Sequence, residues 1–116
     1  MTNLTPKIIL VLVLFLFLIG CQSIQQVKQQ ADQAFLAKTQ AKHDCVALCQ
    51  KKLDQSVDLS KGPCLSNQII PDWACDVAHN PRQPADNEPA NQCLAFGKTA
   101  QHFVEVTAGC ELIRTQ

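Results

Sequence analysis

HDCVALCQKKL, residues 43–53, is the segment on which the fold of this chain depends, because it places two cysteines four residues apart in a helical pattern. Cys45 and Cys49 lie one turn apart and therefore on one face of the predicted helix. Cysteines stacked in this way usually reach across to another element rather than to each other. We therefore expect both to tie the helix to the segment after Gly62.

The chain has seven cysteines, an odd number that needs an explanation in an exported protein. If Cys21 has a separate role, the other six can form three disulfide bonds with no thiol left over. Sequence alone leaves the pairing open, and Cys93 and Cys110 could close the distal part of the chain. The expected disulfide cysteines are Cys45, Cys49, Cys64, Cys75, Cys93 and Cys110.

A small apolar core makes such bonds necessary. The 116 residues allow one small domain at most, and they include only five Phe and one Trp. Small domains bury too little surface to be stable from the core alone, and exported ones usually compensate with disulfides. We therefore expect the compact part of the chain to be disulfide-braced.

The N-terminus contains an unbroken apolar run, IILVLVLFLFLI, at residues 8–19. As a helix this run is about 18 Å long, whereas the hydrocarbon core of a bilayer is about 30 Å thick. A run of this length is typical of the apolar region of a secretion signal. The alternative is an uncleaved N-terminal anchor helix with an incidental cysteine.

The run ends in LIGC, residues 18–21, which resembles the lipobox of prokaryotic lipoproteins. The resemblance implies that residues 1–20 are a signal peptide whose last residue is Gly20. Cys21 then becomes the first residue and carries diacylglyceryl and fatty acyl groups such as palmitate, which anchor it stably on the exported side of a membrane of the cell envelope. Gln22, in place of an Asp, favours the outer membrane if the host has two membranes.

The mature chain is expected to contain a helical stalk, residues 21–42, followed by a small disulfide-stabilised domain, residues 43–116. The stalk is rich in Gln and lacks Pro and Gly, which favours helix. Its apolar residues follow a weak coiled-coil spacing, so either a solvated stalk or a self-associating strip fits, and the oligomeric state is open. The spacing is carried by Ile24, Val27, Ala31 and Ala34.

The distal part has a β pattern. Residues 73–79 alternate in polarity and predict a strand, whereas the Pro-rich residues 80–91 predict a loop and residues 91–100 a single helical turn. Residues 102–106 and 110–114 flank a three-residue connection ending in Gly, which predicts a C-terminal β-hairpin. The fold class is therefore α+β, with a long N-terminal helix and a small disulfide-braced module. The distal stretch also resembles an uncharacterised family of small cysteine-rich exported prokaryotic proteins, a resemblance that implies no activity.

The sequence contains only weak signals for metal binding and for redox chemistry. His43 with Cys45 and Cys49 has ligand types that suit zinc, but there is no second pair, and export favours disulfides. The absence of C-x-x-C gives no support to a thioredoxin-type pair, and no cofactor or metal is predicted. A net charge of zero also argues against a nucleic-acid partner.

The remaining candidates concern recognition or acid–base chemistry. The Pro-stiffened loop is flanked by cysteines, and polar loops on rigid scaffolds often bind ligands. No G-x-S-x-G, H-E-x-x-H or Gly-rich phosphate motif is present. We expect a non-enzymatic binding or structural module, with an envelope protein as a possible partner. The alternative is a small periplasmic hydrolase or a metal or redox factor using His79, His102 or the cysteines. The candidate binding residues are His79, Arg82, Asp86, Asn87 and His102.

Overall fold

The computed structural model describes residues 6–116, except for the side chains of residues 17–22. Cys21, the predicted lipid-bearing residue, therefore lies outside the described side chains. One long helix precedes four strands, which confirms the α+β class. The elements are α1 Pro6–Asp54, β1 Cys64–Ile70, β2 Trp73–Val77, a short 3-10 helix Pro84–Asn87, β3 His102–Val106 and β4 Leu112–Thr115.

The chain divides into two compact units, residues 1–35 and residues 36–116. In the first unit, the side chains of the apolar residues 8–16 are exposed, and so are those of Ile24 and Val27. Within the described residues, no helix has both the length and the apolar character that a membrane crossing requires. The second unit contains the four strands and the three disulfide bonds that occur among the described residues.

The sheet has the strand order β1-β2-β3-β4. The outer pairs, β1 with β2 and β3 with β4, are antiparallel, so the predicted C-terminal hairpin is confirmed. The central pair, β2 with β3, is parallel and runs in unbroken register from Trp73–His102 to Val77–Val106. Residues 78–101 form the crossover that a parallel pair needs.

One of the two local predictions in this crossover is wrong. The predicted loop 80–91 is irregular apart from the short 3-10 helix Pro84–Asn87, which begins at a proline as helices often do. The predicted helical turn in residues 91–100 is replaced by successive tight turns, one of which contains Gly97 at φ 77°. Backbone hydrogen bonds from Lys98, Thr99 and Ala100 to the Ala95 carbonyl close these turns.

One face of the sheet packs against the C-terminal part of α1. We call it the helix face. Ala41, Cys45 and Cys49 recur every four residues on one side of the helix, and all are fully buried. Burial of this continuous apolar layer is the main noncovalent contribution to the stability of the unit. On the sheet side the layer consists of Trp73, Cys75, Val77, Val104 and Val106.

The cysteines form three disulfide bonds: Cys45–Cys75, Cys49–Cys110 and Cys64–Cys93. Both helix cysteines reach the segment after Gly62, as predicted, but the suggested closure of the distal part by Cys93 and Cys110 is wrong. Cys110 belongs to the core on the helix face, whereas Cys93 packs in the second core cluster with Ala74 and Phe103. The sheet therefore lies between the two cysteines.

Candidate functional site

The second face of the sheet carries charged residues. Because side chains alternate along a strand, the face opposite the helix receives Ala74 and Asp76 from β2 and Phe103 and Glu105 from β3. The parallel register places Ala74 beside Phe103 and Asp76 beside Glu105. We call this surface the cavity face, because the crossover packs over it and leaves a cavity there.

The cavity has a volume of about 260 Å³. Its wall combines four charged side chains with two phenylalanines and the Cys64–Cys93 disulfide. Phe96 meets Phe103 edge to face, with ring centroids 4.8 Å apart, so part of the wall is aromatic. The lining residues are Ala74, Asp76, Arg82, Gln92, Cys93, Phe96, Phe103, Glu105 and Arg114.

Glu105 lies between two arginines. Arg82 Nη1 donates a hydrogen bond to its Oε1 at 2.7 Å, and Arg114 Nε donates one to its Oε2. Burial of Glu105 opposes ionisation, but the hydrogen bonds and charges of the two arginines outweigh it and lower the pKa of the carboxyl group. Glu105 is therefore an ionised carboxylate whose charge is compensated from both sides.

Asp76 has the opposite environment. Burial first, and the neighbouring Glu105 charge second, raise its pKa to about 7, although Arg82 and Arg114 partly offset this. Its Oδ1 is buried and has no hydrogen-bond partner within the described residues. A buried polar atom without a partner is costly unless the group is neutral or a ligand pairs with it.

Asp86 fixes the crossover to the end of β2. Its buried carboxylate accepts hydrogen bonds from the backbone N–H groups of His79 and Gln83, and its Oδ1 lies 2.8 Å from His79 Nδ1. Burial raises the pKa of Asp86, but these hydrogen bonds outweigh that effect, and the net shift is downward. Asp86 therefore organises the chain locally rather than facing the cavity.

Gly62 permits this arrangement. It has φ 71°, and a Cβ at this position would lie 2.7 Å from Asp86 Oδ1 and 2.9 Å from the carbonyl oxygen of Val77. Both distances are below contact distance, and the second atom belongs to the backbone. Gly62 thus allows the close approach of Asp86 to this segment.

Arg82 joins the crossover to the sheet. In addition to Glu105, its guanidinium donates from Nε to Asn87 Oδ1 at 3.1 Å and from Nη2 to the Asp86 carbonyl at 3.1 Å. Every guanidinium nitrogen therefore has an intramolecular acceptor. Arg82 is held rigidly, with its charge directed at Glu105.

Four of the five candidate binding residues come together in the structure. His79, Arg82, Asp86 and Asn87 contact one another, and only Arg82 lines the cavity. His102 is not part of this group. Its ring stacks on Trp73 with centroids 4.6 Å apart, and its Nε2 lies 3.6 Å from Asp72 Oδ2.

The candidate set omitted Arg114, Phe96 and Phe103. If β3 and β4 paired in uniform register outward from the turn of the hairpin, Arg114 would not be expected opposite Glu105. The observed pairing depends on an irregularity between Glu105 and Val106 that shifts β4 relative to β3. The sequence has no local signal for this shift.

No family model, curated protein or solved structure matches this chain. The lipobox and distal resemblances therefore remain predictions. Among the described residues, no group of three or more His, Cys, Asp or Glu is placed to hold a metal ion. His43 instead contacts Asp44 Oδ1 at 3.0 Å, and Cys45 and Cys49 are in disulfides.

Proposed function

We propose that this chain is a lipid-anchored protein of the cell envelope and that its distal unit is a non-enzymatic binding module whose binding surface is the cavity face. The lipid on Cys21 holds it to the membrane on the exported side, the outer membrane in a host with two membranes. A small molecule occupies the cavity, and an envelope protein is the expected macromolecular partner.

The pairing of the cysteines carries this proposal. Three disulfides use all six cysteines after residue 21, and the seventh cysteine of the sequence is Cys21. Disulfides persist in oxidising compartments outside the cytosol. The lipobox pattern, which ends at the same residue, supports the proposal independently.

The lining of the cavity favours binding over catalysis. Among the described residues of its wall, none is a Ser, Thr, Lys, His or free thiol, and the groups there that could carry a proton are the carboxyl groups of Asp76 and Glu105. His79 and His102 do not line it, which weighs against the hydrolase alternative. The disulfides weigh against the alternative that uses thiolates as metal ligands or redox groups.

Substitution of Cys21 by Ser tests the anchor. We expect Cys21→Ser to abolish labelling with radioactive palmitate and to prevent cleavage after Gly20, because only a thiol forms the thioether. Gln22→Asn is the matched control and should be labelled and cleaved normally. Normal processing and membrane retention of Cys21→Ser would refute the anchor.

Alkylation of the purified chain without reductant tests the binding module. Intact mass should show no alkylated thiol, and elemental analysis should show no stoichiometric zinc. Two or more reactive thiols, or one zinc ion per chain, would instead support the metal or redox alternative.

A further inference from the structure

Arg114 offers unused hydrogen-bond donors in the cavity. Its Nε is engaged by Glu105, whereas Nη1 and Nη2 have no hydrogen-bond acceptor among the described residues. The guanidinium lies over the Phe103 ring, 4.9 Å from its centroid, so its orientation is fixed on two sides. The side chain is 52% exposed, which leaves the terminal nitrogens accessible.

The charges around the cavity do not cancel when Asp76 is neutral. Arg82 and Arg114 then face a single carboxylate, Glu105, which leaves one positive charge in excess. A ligand with one negative charge restores the balance. A planar carboxylate also matches the two terminal N–H groups of an arginine, which bind it in a bidentate manner.

We propose that the cavity binds a small monocarboxylate with an apolar substituent, whose carboxylate is held by the terminal nitrogens of Arg114 and by the carboxyl group of Asp76, and whose substituent packs against Phe96 and Phe103. This inference rests on the proposed binding role and names its ligand class. The volume of about 260 Å³ equals about nine water molecules at roughly 30 Å³ each, which suits a ligand of this size.

Asp76 gives the site its selectivity for an anion. Its carboxyl group lines the cavity and, in the neutral form, donates a hydrogen bond to the ligand carboxylate. An amine ligand requires the ionised form of Asp76 and is repelled by both arginines. The two ligand classes therefore respond to pH in opposite directions.

The charged groups whose electrostatic effect reaches Asp76 come from every neighbouring segment, and of these Asp86 does not line the cavity. Glu105 lies on β3, Arg114 on β4, Arg82 in the crossover and Asp86 in the 3-10 helix. On β1, the residue paired with Asp76 is Cys64, which is in a disulfide and does not titrate. Since the pKa of Asp76 is about 7, a carboxylate that needs its neutral form binds more weakly as pH rises through neutrality.

Benzoate is a suitable probe, with benzamide as its neutral analogue and benzylamine as its cationic one. Calorimetric titration of the full mature chain in detergent micelles should give a benzoate Kd in the millimolar range, as expected for a small fragment. Affinity should fall about tenfold from pH 6 to pH 8, the change in the neutral fraction of a group that titrates near 7. Benzamide should bind at least tenfold more weakly than benzoate at pH 6. Benzylamine binding more tightly than benzoate would overturn the proposal.

Two variants locate the contacts. Arg114→Gln should weaken benzoate binding at least tenfold, whereas Lys98→Gln, an exposed cation outside the cavity, should leave it unchanged. Asp76→Asn keeps a neutral donor, so it should bind benzoate equally at pH 6 and pH 8. Unchanged binding in Arg114→Gln, or loss of binding in Asp76→Asn, contradicts the proposal.

If Arg114→Gln does not fold, the binding of benzoate to Asp76→Asn and the difference in affinity between benzoate and benzamide still test the proposal. Failure of benzoate binding alongside normal palmitate labelling excludes this ligand class and leaves the anchor intact.

Discussion

The two faces of the sheet are stabilised by different means. The helix face is apolar and crosslinked to α1 by Cys45–Cys75 and Cys49–Cys110. The cavity face has one disulfide, Cys64–Cys93, and is organised by Glu105 between two arginines. Apolar burial and loop closure thus stabilise one side, which allows the other side to retain a cavity and a poorly solvated carboxyl group.

Removal of a disulfide from each face should show the largest effect. We expect Cys49→Ala/Cys110→Ala to lower the free energy of unfolding by about 4 kcal/mol, because this bond closes a loop of sequence separation 61 and both sulfurs are buried. Urea unfolding of the full chain and of the variant measures this loss in the free energy of unfolding.

The matched variant is Cys64→Ala/Cys93→Ala, which removes a bond of sequence separation 29 from the cavity face. We expect a smaller loss of about 3.5 kcal/mol, together with a change in the titration of Asp76, since Cys93 lines the cavity. A larger loss here than for the helix face would contradict the division of roles described above.

Asp76→Asn should have the next largest effect, and its size depends on pH. The pKa of Asp76 is about 7 in the folded chain and 3.8 in the reference state, so the folded chain holds an extra proton between these values. The free energy of unfolding of the parent therefore falls as pH rises from about 4 to about 7. The variant should be more stable than the parent by about 2 to 4 kcal/mol at pH 8, and nearly equal to it at pH 4.

Chemical denaturation across this pH range measures the difference. Glu111→Gln, which removes an exposed carboxyl group outside the cavity, is the control. A constant difference between Asp76→Asn and the parent at all pH values would mean that Asp76 does not titrate near neutrality.

Gly62→Ala should have the smallest of the three effects, a loss of about 2 kcal/mol in the free energy of unfolding. The added Cβ combines an unfavourable positive φ with overlap on Asp86 Oδ1 and the Val77 carbonyl. Gly97→Ala isolates the first contribution, because Gly97 also has a positive φ but no atom within 4 Å of the place that an added methyl group would occupy. We expect Gly97→Ala to lower the free energy of unfolding by about 1 kcal/mol, as measured by thermal melting. Equal losses in the Gly62 and Gly97 variants would remove the role assigned to the Asp86 contact.

Features that depend on local sequence were predictable. The four-residue spacing of Cys45 and Cys49 indicates a shared helix face, and the alternation around the turn near Gly109 indicates the hairpin. The strand β1 was not predicted, because Ser66, Asn67 and Gln68 have little preference for strands. The hydrogen-bonded pairing of β1 with β2 outweighs the low strand propensity of these residues.

Features that depend on distant contacts were not predictable. The parallel pairing of β2 and β3 follows a crossover without helical or strand periodicity, so the proximity of Asp76 to Glu105 has no local signal. The loop residues Arg82, Asp86 and Asn87 were predicted to bind a ligand, which stays a prediction, and the structure brings them into contact with one another. Of the three, Arg82 also bonds Glu105 and lines the cavity, whereas the buried Asp86 forms hydrogen bonds with neighbouring parts of the crossover and with the end of β2.

The order in which the three crosslinks overlap along the chain affects its resistance to proteases. Cys45–Cys75, Cys64–Cys93 and Cys49–Cys110 together leave no peptide bond between Cys49 and Cys110 unspanned. A protease that makes a single cut there, for example after Lys61, Arg82 or Lys98, releases no fragment until a reductant is added. The nicked chain should migrate as one species on a non-reducing gel and as two after reduction.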